Sequence, residues 1–330
     1  MRRGAVGAAT TRPGPTPLPR PRRVELGGAG PEDVVFDGAG RVVTGVADGR
    51  VLRIVLPTGD RPAGIEQVGH TRGRPLGLEV LPDGRLLVCD AERGLLRLDP
   101  DGEQRPEVLA DSVAGAPLRF CSNAVAAADG TVYFTVSSRR HGLDDWLCDI
   151  LEHEPTGLLV RLTPGAEPQV LLDGLQFANG VALAPDESYV MVAETGAWRL
   201  TRLWLSGPDA GRHDILADAL PGFPDNVSRS PAGGFWVALA GPRTPPLAWL
   251  HRAAPGVRRA VAGAARHLPT PPASGARVIE VDERGRVVRE LRGAGRRFRM
   301  TTSVGEHGGR LVMGSLMEHA IAWCDLPAPA

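Results

Sequence analysis

The sequence contains no lysine; all 38 of its basic residues are arginine. That excludes Schiff-base chemistry and a lysine general base, and it is the usage that GC-rich coding gives, as in a high-GC bacterium. Only four cysteines occur, Cys89, Cys121, Cys148 and Cys324, with no CxxC pair and no metal-ligand spacing. They read as buried free thiols. Acidic and basic residues balance at 38 each, so no global field favours a nucleic acid or a membrane surface as partner. No run approaches the ~18 apolar residues of a membrane-spanning helix, and residues 1–23 lack the apolar segment of a secretory signal. A serine hydrolase is disfavoured, because no Gly-x-Ser-x-Gly motif is present. The expectation is a cytoplasmic protein, a monomer or weak oligomer, acting on a small molecule.

What the chain has in quantity is glycine (42) and proline (30), together with a repeated strand–turn–strand phrase. Its clearest copy is Phe177-Ala-Asn-Gly-Val-Ala-Leu-Ala-Pro-Asp-Glu-Ser-Tyr-Val-Met-Val-Ala-Glu194. Val181, Leu183, Tyr189, Met191 and Ala193 follow the period of two that strands require, and Pro185-Asp186-Glu187-Ser188 supplies the turn. Related phrases begin near Gly30, Arg74, Phe120, Phe223 and Thr301. Most intervals are close to 45 residues, the period of a four-stranded propeller blade. The fold expected is therefore all-β, a six-bladed propeller of four-stranded antiparallel blades over 23–326. The strand around Arg23-Val-Glu-Leu26 would complete the last blade. Residues 1–22, with prolines at 13, 15, 17, 19 and 21, read as a disordered leader, and 327–330 as a tail. Two longer intervals carry insertions, at about 137–155 and 242–274. The first has helical spacing through Leu143, Trp146, Leu147, Ile150 and Leu151; the second reads as a short helix from Leu247 to Leu250 onward and then a mobile loop.

In a propeller the innermost strands run along the channel, and the loops entering them share one face. The corresponding positions are Glu32, Gly77, Asn123, Asn179, Asp225 and roughly Ser303. One polar residue before a strand is commonly a local cap. Four at equivalent repeat positions should converge on the axis. Glu32, Asn123, Asn179 and Asp225 make an all-oxygen set, which suits one hard divalent cation such as calcium.

At these residues the chain resembles the strictosidine-synthase-like branch of the calcium-dependent propeller superfamily that includes gluconolactonases (regucalcin-like) and paraoxonases. The matching phrases include Gly30-Pro-Glu-Asp, Gly73-Arg-Pro-Leu-Gly-Leu, Phe177-Ala-Asn-Gly-Val-Ala-Leu, Pro221-Gly-Phe-Pro-Asp-Asn-Val and Glu306-His-Gly-Gly-Arg-Leu-Val-Met-Gly-Ser-Leu. The resemblance implies a catalytic cation on Glu32, Asn123, Asn179 and Asp225, with Asn226 as a further metal or substrate contact. It also implies hydrolysis of lactones or aryl esters. In such a reaction a carboxylate activates water, and that base role falls to Asp225. The chain departs from the family where Asn123-Ala124 replaces Asn-Asp and where Thr135-Val136 replaces Thr-Asp. Leu76 and Asp90 stand where paraoxonases carry a histidine dyad.

Two other readings stay open. Glu306 matches the region of the catalytic glutamate of strictosidine synthases, which implies a condensing enzyme of specialised metabolism; alternatively, the propeller binds a small molecule without turnover. Glu194 is either a strand-end surface residue or a partner of the site. His141 and His153 flank the first insertion and could reach over the channel mouth, and Trp146 and Trp249 could form an apolar pocket rim.

Overall fold

The computed structural model describes residues 13–103, 105–267, 274–294 and 297–326. Six four-stranded antiparallel sheets follow one another as blades over 35–70, 75–110, 121–175, 178–217, 222–292 and 301–325. The outer strand of the sixth blade is Arg22–Glu25, which pairs antiparallel with Ala320–Asp325 and so closes the ring. Within each blade the tight turns fall where the sequence offers Asp-Gly or a related pair. Gly84, for example, takes φ +84° between the first two strands of the second blade, a conformation open to glycine at no steric cost.

Strand faces alternate into apolar layers between neighbouring blades. Met191, Phe235 and Ile279 fill the space between blades four and five, and Trp236, Phe298 and Leu311 that between five and six. At about 1.5–3 kcal/mol per fully buried large side chain, these layers are the main cohesion of the ring. All four cysteines are buried free thiols.

The leader is a correction from Thr16 onward. Thr16–Pro17 runs parallel to Leu291–Arg292 as a fifth strand on blade five, and Leu18 is buried against the Trp236–Phe298 layer. Proline is tolerated there because an outermost strand has one unpaired edge, so the missing N–H breaks no ladder bond. Residues 1–12 and 327–330 lie outside the described residues.

Both insertions are helical. The first forms α1, Trp146–Glu152. The second forms α2, Pro245–Leu250, and then α3, Pro255–Ala265, where a mobile loop was expected. Residues 268–273 lie outside the described residues. No helix among the described residues is long and apolar enough to cross a membrane.

Candidate functional site

The innermost strand of a blade does not pair evenly with its neighbour. The register shifts between Pro75 and Leu78, Cys121 and Ala124, Ala178 and Val181, and Pro224 and Val227. In each case two residues face one, which is a β-bulge. A bulge re-aims consecutive side chains, and here it stacks two layers on the axis. The upper layer is Glu32, Leu76, Ser122, Asn179, Asp225 and Thr302, one residue per blade, all lining a single cavity. The lower layer is Asp33, Gly77, Asn123, Gly180, Asn226 and Ser303. Repeat counting thus placed Asn123 one residue out of step with Asn179: Ser122 is the true equivalent, and Asn123 stands one layer below.

The layers are knitted by hydrogen bonds among buried groups. Asn226 Nδ2 donates to both oxygens of Glu32 at 3.0 and 3.2 Å. Asn123 Nδ2 donates to Asn226 Oδ1 at 3.0 Å and to Asp33 Oδ2 at 3.2 Å. Asn179 accepts from Ser122 Oγ at 3.0 Å and donates to Thr195 Oγ1 at 3.2 Å, and its amide lies beside the Asp225 carboxylate, favouring the charged form. Asp33 takes two backbone donors, Val34 N–H at 2.8 Å and Leu78 N–H at 2.9 Å. These bonds make two groups, Glu32–Asn226–Asn123–Asp33 and Ser122–Asn179–Thr195, which meet along the chain at Ser122–Asn123 and Asp225–Asn226; Glu32, Asn179 and Asp225 line the cavity floor. Asp33, Ser122 and Thr195 were missed. The signal for Asp33 was its place beside Glu32, mirroring Asn226 beside Asp225.

Electrostatically the floor is short of positive charge. Burial, and then the charges of Asp225 and Asp33, push Glu32 well above the usual carboxylate range. Burial likewise raises Asp225, with Asp33 adding to it and the Asn179 hydrogen bond opposing. Asp33 is raised by burial to about 6. Asp225 Oδ1 is buried without a hydrogen-bond partner. Arg74, a buried cation near Glu32, uses its guanidinium on the carbonyls of Pro75 and Gly30. No group of three His, Cys, Asp or Glu side chains among the described residues is arranged to hold a metal. The donors here are instead two carboxylates joined by amides, whose hard oxygens and two negative charges fit a divalent ion such as calcium.

Above the floor lies a cavity of about 610 Å³ with apolar walls, including Phe120, Phe177 and Phe223 from the blades. Among the described residues its lining contains no arginine or histidine. Both insertions roof it, through Trp146 and Leu147 on one side and Leu247 and Trp249 on the other. They also hold each other. Glu154 pairs with Arg259 at 3.0 Å, and Asp145 with Arg266 at 3.2 Å. The rings of His153 and His251 stack 3.8 Å apart, and His251 Nε2 lies 2.8 Å from the Ile150 carbonyl.

Several expected site residues lie elsewhere. Glu306 sits four positions beyond Thr302, about 13 Å down the same strand, and its Oε2 accepts from Trp236 Nε1 at 2.7 Å. It does not line the cavity. His141 is not on the rim: it is buried at the root of α1, with Nε2 3.1 Å from Glu152 Oε2. His153 belongs to the seam between the insertions rather than to the channel mouth. Glu194 is neither a surface residue nor part of the floor. It is fully buried and accepts from Arg199, Thr201 and the Gln176 N–H, which locks the rim of blade four.

The sequence matches the family described as Strictosidine synthase over residues 123–208, and that described as Strictosidine synthase-like, N-terminal, over 17–54. The Arabidopsis thaliana protein Strictosidine synthase-like 10 is 38% identical over 245 residues, which is 67% of this chain and 64% of that protein. The adipocyte plasma membrane-associated protein of Danio rerio is 41% identical over 214 residues, 62% of this chain and 52% of that protein. The chain thus spans between about half and two thirds of the length of these curated relatives. Among solved structures, a gluconolactonase from Xanthomonas campestris superposes with a TM-score of 0.64 at 18% identity, over 96% of this chain and 99% of that one. The calcium-binding protein regucalcin from Agrobacterium tumefaciens superposes with a TM-score of 0.60 at 14% identity, over 92% and 93%. At such identities the likeness shows the fold.

Proposed function

The chain belongs to the strictosidine-synthase-like propeller superfamily, and on that premise we propose that it is a calcium-dependent hydrolase of uncharged lactones or esters with a bulky apolar body. The observation that carries this reading is the pairing of an acid–amide floor with a mostly apolar cavity whose lining, among the described residues, holds no arginine or histidine. The structural neighbours, a gluconolactonase and a calcium-binding regucalcin, support the ion and the lactone carbonyl. A cation held by Glu32, Asn179 and Asp225 at the floor, with Asn123 reaching it from the layer below, would supply a Lewis acid for the carbonyl oxygen.

The chain's own residues do the rest. Ser122 and Thr195 fix the amide of Asn179 from two sides, and Asn226 braces both oxygens of Glu32. Asp225, whose side chain lines the cavity floor, receives the proton of the attacking water. Water oxygen bonds to the carbonyl carbon, the ester C–O bond breaks, and the departing oxygen takes up the proton that Asp225 received. The walls desolvate the apolar body, and above the floor they offer sugar hydroxyls only Thr244 and Ser274, so glucono-δ-lactone should be a poorer substrate, with part of its polar groups left unpaired.

The test is a panel of γ-dodecalactone, 2-naphthyl acetate and glucono-δ-lactone with purified protein. The first two should be turned over, and activity should be lost on chelation and restored by calcium. Asp225→Ala should lose both the bound ion and about 100-fold or more of kcat/KM, while Glu306→Gln stays within about twofold. Protein that binds no divalent ion at millimolar calcium, or that is fully active in chelator, would refute the proposal. Activity surviving chelation but lost in Glu306→Gln would instead support the condensing reading, and no turnover of any substrate the binding one.

A further inference from the structure

Trp249 lines the cavity mouth, yet 68% of its surface is in solvent. An indole is the largest apolar group a chain can offer, and leaving it in water forgoes most of its burial. The backbone beneath it is fixed. Leu250, the next residue, is buried, and His251 is stacked on His153 and set against the Ile150 carbonyl. Val261 of α3 borders the same mouth and is itself 39% exposed. Across the mouth stand Trp146 and Leu147 of α1. An exposed side chain on a pinned helix end responds by rotating its own torsions rather than by moving the helix.

We propose that Trp249 is a specificity-determining residue, closing over the apolar end of a bound ligand and so favouring bulky ligands over small ones. This rests on the reading of the cavity as a substrate site. A ligand that reaches the mouth covers the indole and removes both apolar surfaces from water; a small one bound at the floor leaves it exposed. Covering about 50 Å² of indole corresponds to about tenfold in affinity.

The test uses two ligands that cannot be hydrolysed, 2-naphthol and phenol, titrated calorimetrically into the protein in calcium buffer. Wild type should prefer 2-naphthol. In Trp249→Ala the ratio of the two affinities should fall about tenfold, and in Trp249→Phe most of it should be retained. A purely structural role would weaken both ligands alike and leave the ratio unchanged, which overturns the proposal. So does a wild type that fails to bind 2-naphthol at millimolar concentration. Since neither ligand is a substrate, absence of ester turnover would sink the hydrolase reading while leaving this result readable.

Discussion

Gly77 has no side chain because Asn123 occupies the space one would need. A Cβ there would lie 2.5 Å from Asn123 Cα and from the Ser122 carbonyl oxygen, and 2.6 Å from Asn123 Nδ2. Two of those three atoms are backbone, so relief requires blade three to shift. Gly77→Ala should therefore destabilise the fold by about 1–3 kcal/mol, the usual cost of overpacking, and weaken calcium binding by displacing Ser122 and Asn123. Urea unfolding and a calcium titration check the two effects; a variant that loses stability with unchanged calcium affinity would disconnect the lower layer from the site. At this scale the sequence was partly legible. Glu32, Asn179 and Asp225 could be read because a repeat exposes equivalent positions. Asn123 was placed a residue out of step because a bulge alters which side chain of a pair faces the pocket, and no spacing records that. Thr195 was invisible for another reason: it comes from the turn after a second strand (Thr195–Ala197) and reaches the site only through the fold.

Among the elements, α1 was legible because Leu143, Trp146, Leu147, Ile150 and Leu151 fall on a helical face. The helix α3 was not. Its sequence, Pro-Gly-Val-Arg-Arg-Ala-Val-Ala-Gly-Ala-Ala, has no side-chain cap and only a thin apolar stripe. Tertiary contacts hold it, through buried Ala262 beside Cys148 and the ion pairs to Glu154 and Asp145. The edge strand Thr16–Pro17 was hidden by its prolines, yet Thr16 Oγ1 bonds the Glu290 carbonyl at 3.0 Å and the Leu18 N–H that of Arg292 at 2.9 Å. Leu18→Ala should then cost about 2–3 kcal/mol, as for a buried leucine. An unstructured leader would give no measurable change in the denaturation midpoint, so the same titration separates the two views.

For the molecule as a whole, the channel acids make stability depend on pH, and an ion bound among them would change that dependence. Asp33 is raised from 3.8 to about 6, so between those values the folded state holds more protons than the unfolded one, and stability falls as pH rises through that window. Glu32 and Asp225 are raised in the same direction. His153, lowered to about 4 by burial and then by His251, has the opposite sign: its contribution is lost as pH falls below its ordinary 6.5. It lies in the insertion seam and cancels when the same protein is compared with and without calcium. The gain in melting temperature on adding calcium should therefore be larger at pH 7.5 than at pH 5, by several degrees, and should vanish in Asp225→Ala. Equal gains at both pH values would mean that calcium does not meet the channel carboxylates.

The sixth blade has one more consequence. Its outer strand, Arg22–Glu25, comes early in the chain and its other three strands come last; Arg22 and Asp325 meet at 3.1 Å across 303 positions. A ribosome adding about 5–20 residues per second needs on the order of 15–60 s to supply the second after the first. Throughout that interval the growing chain carries an incomplete ring whose last interface is missing and whose strand edges can pair with another chain. The closure that leaves the mature ring without a gap thus also makes synthesis the period of greatest exposure to aggregation.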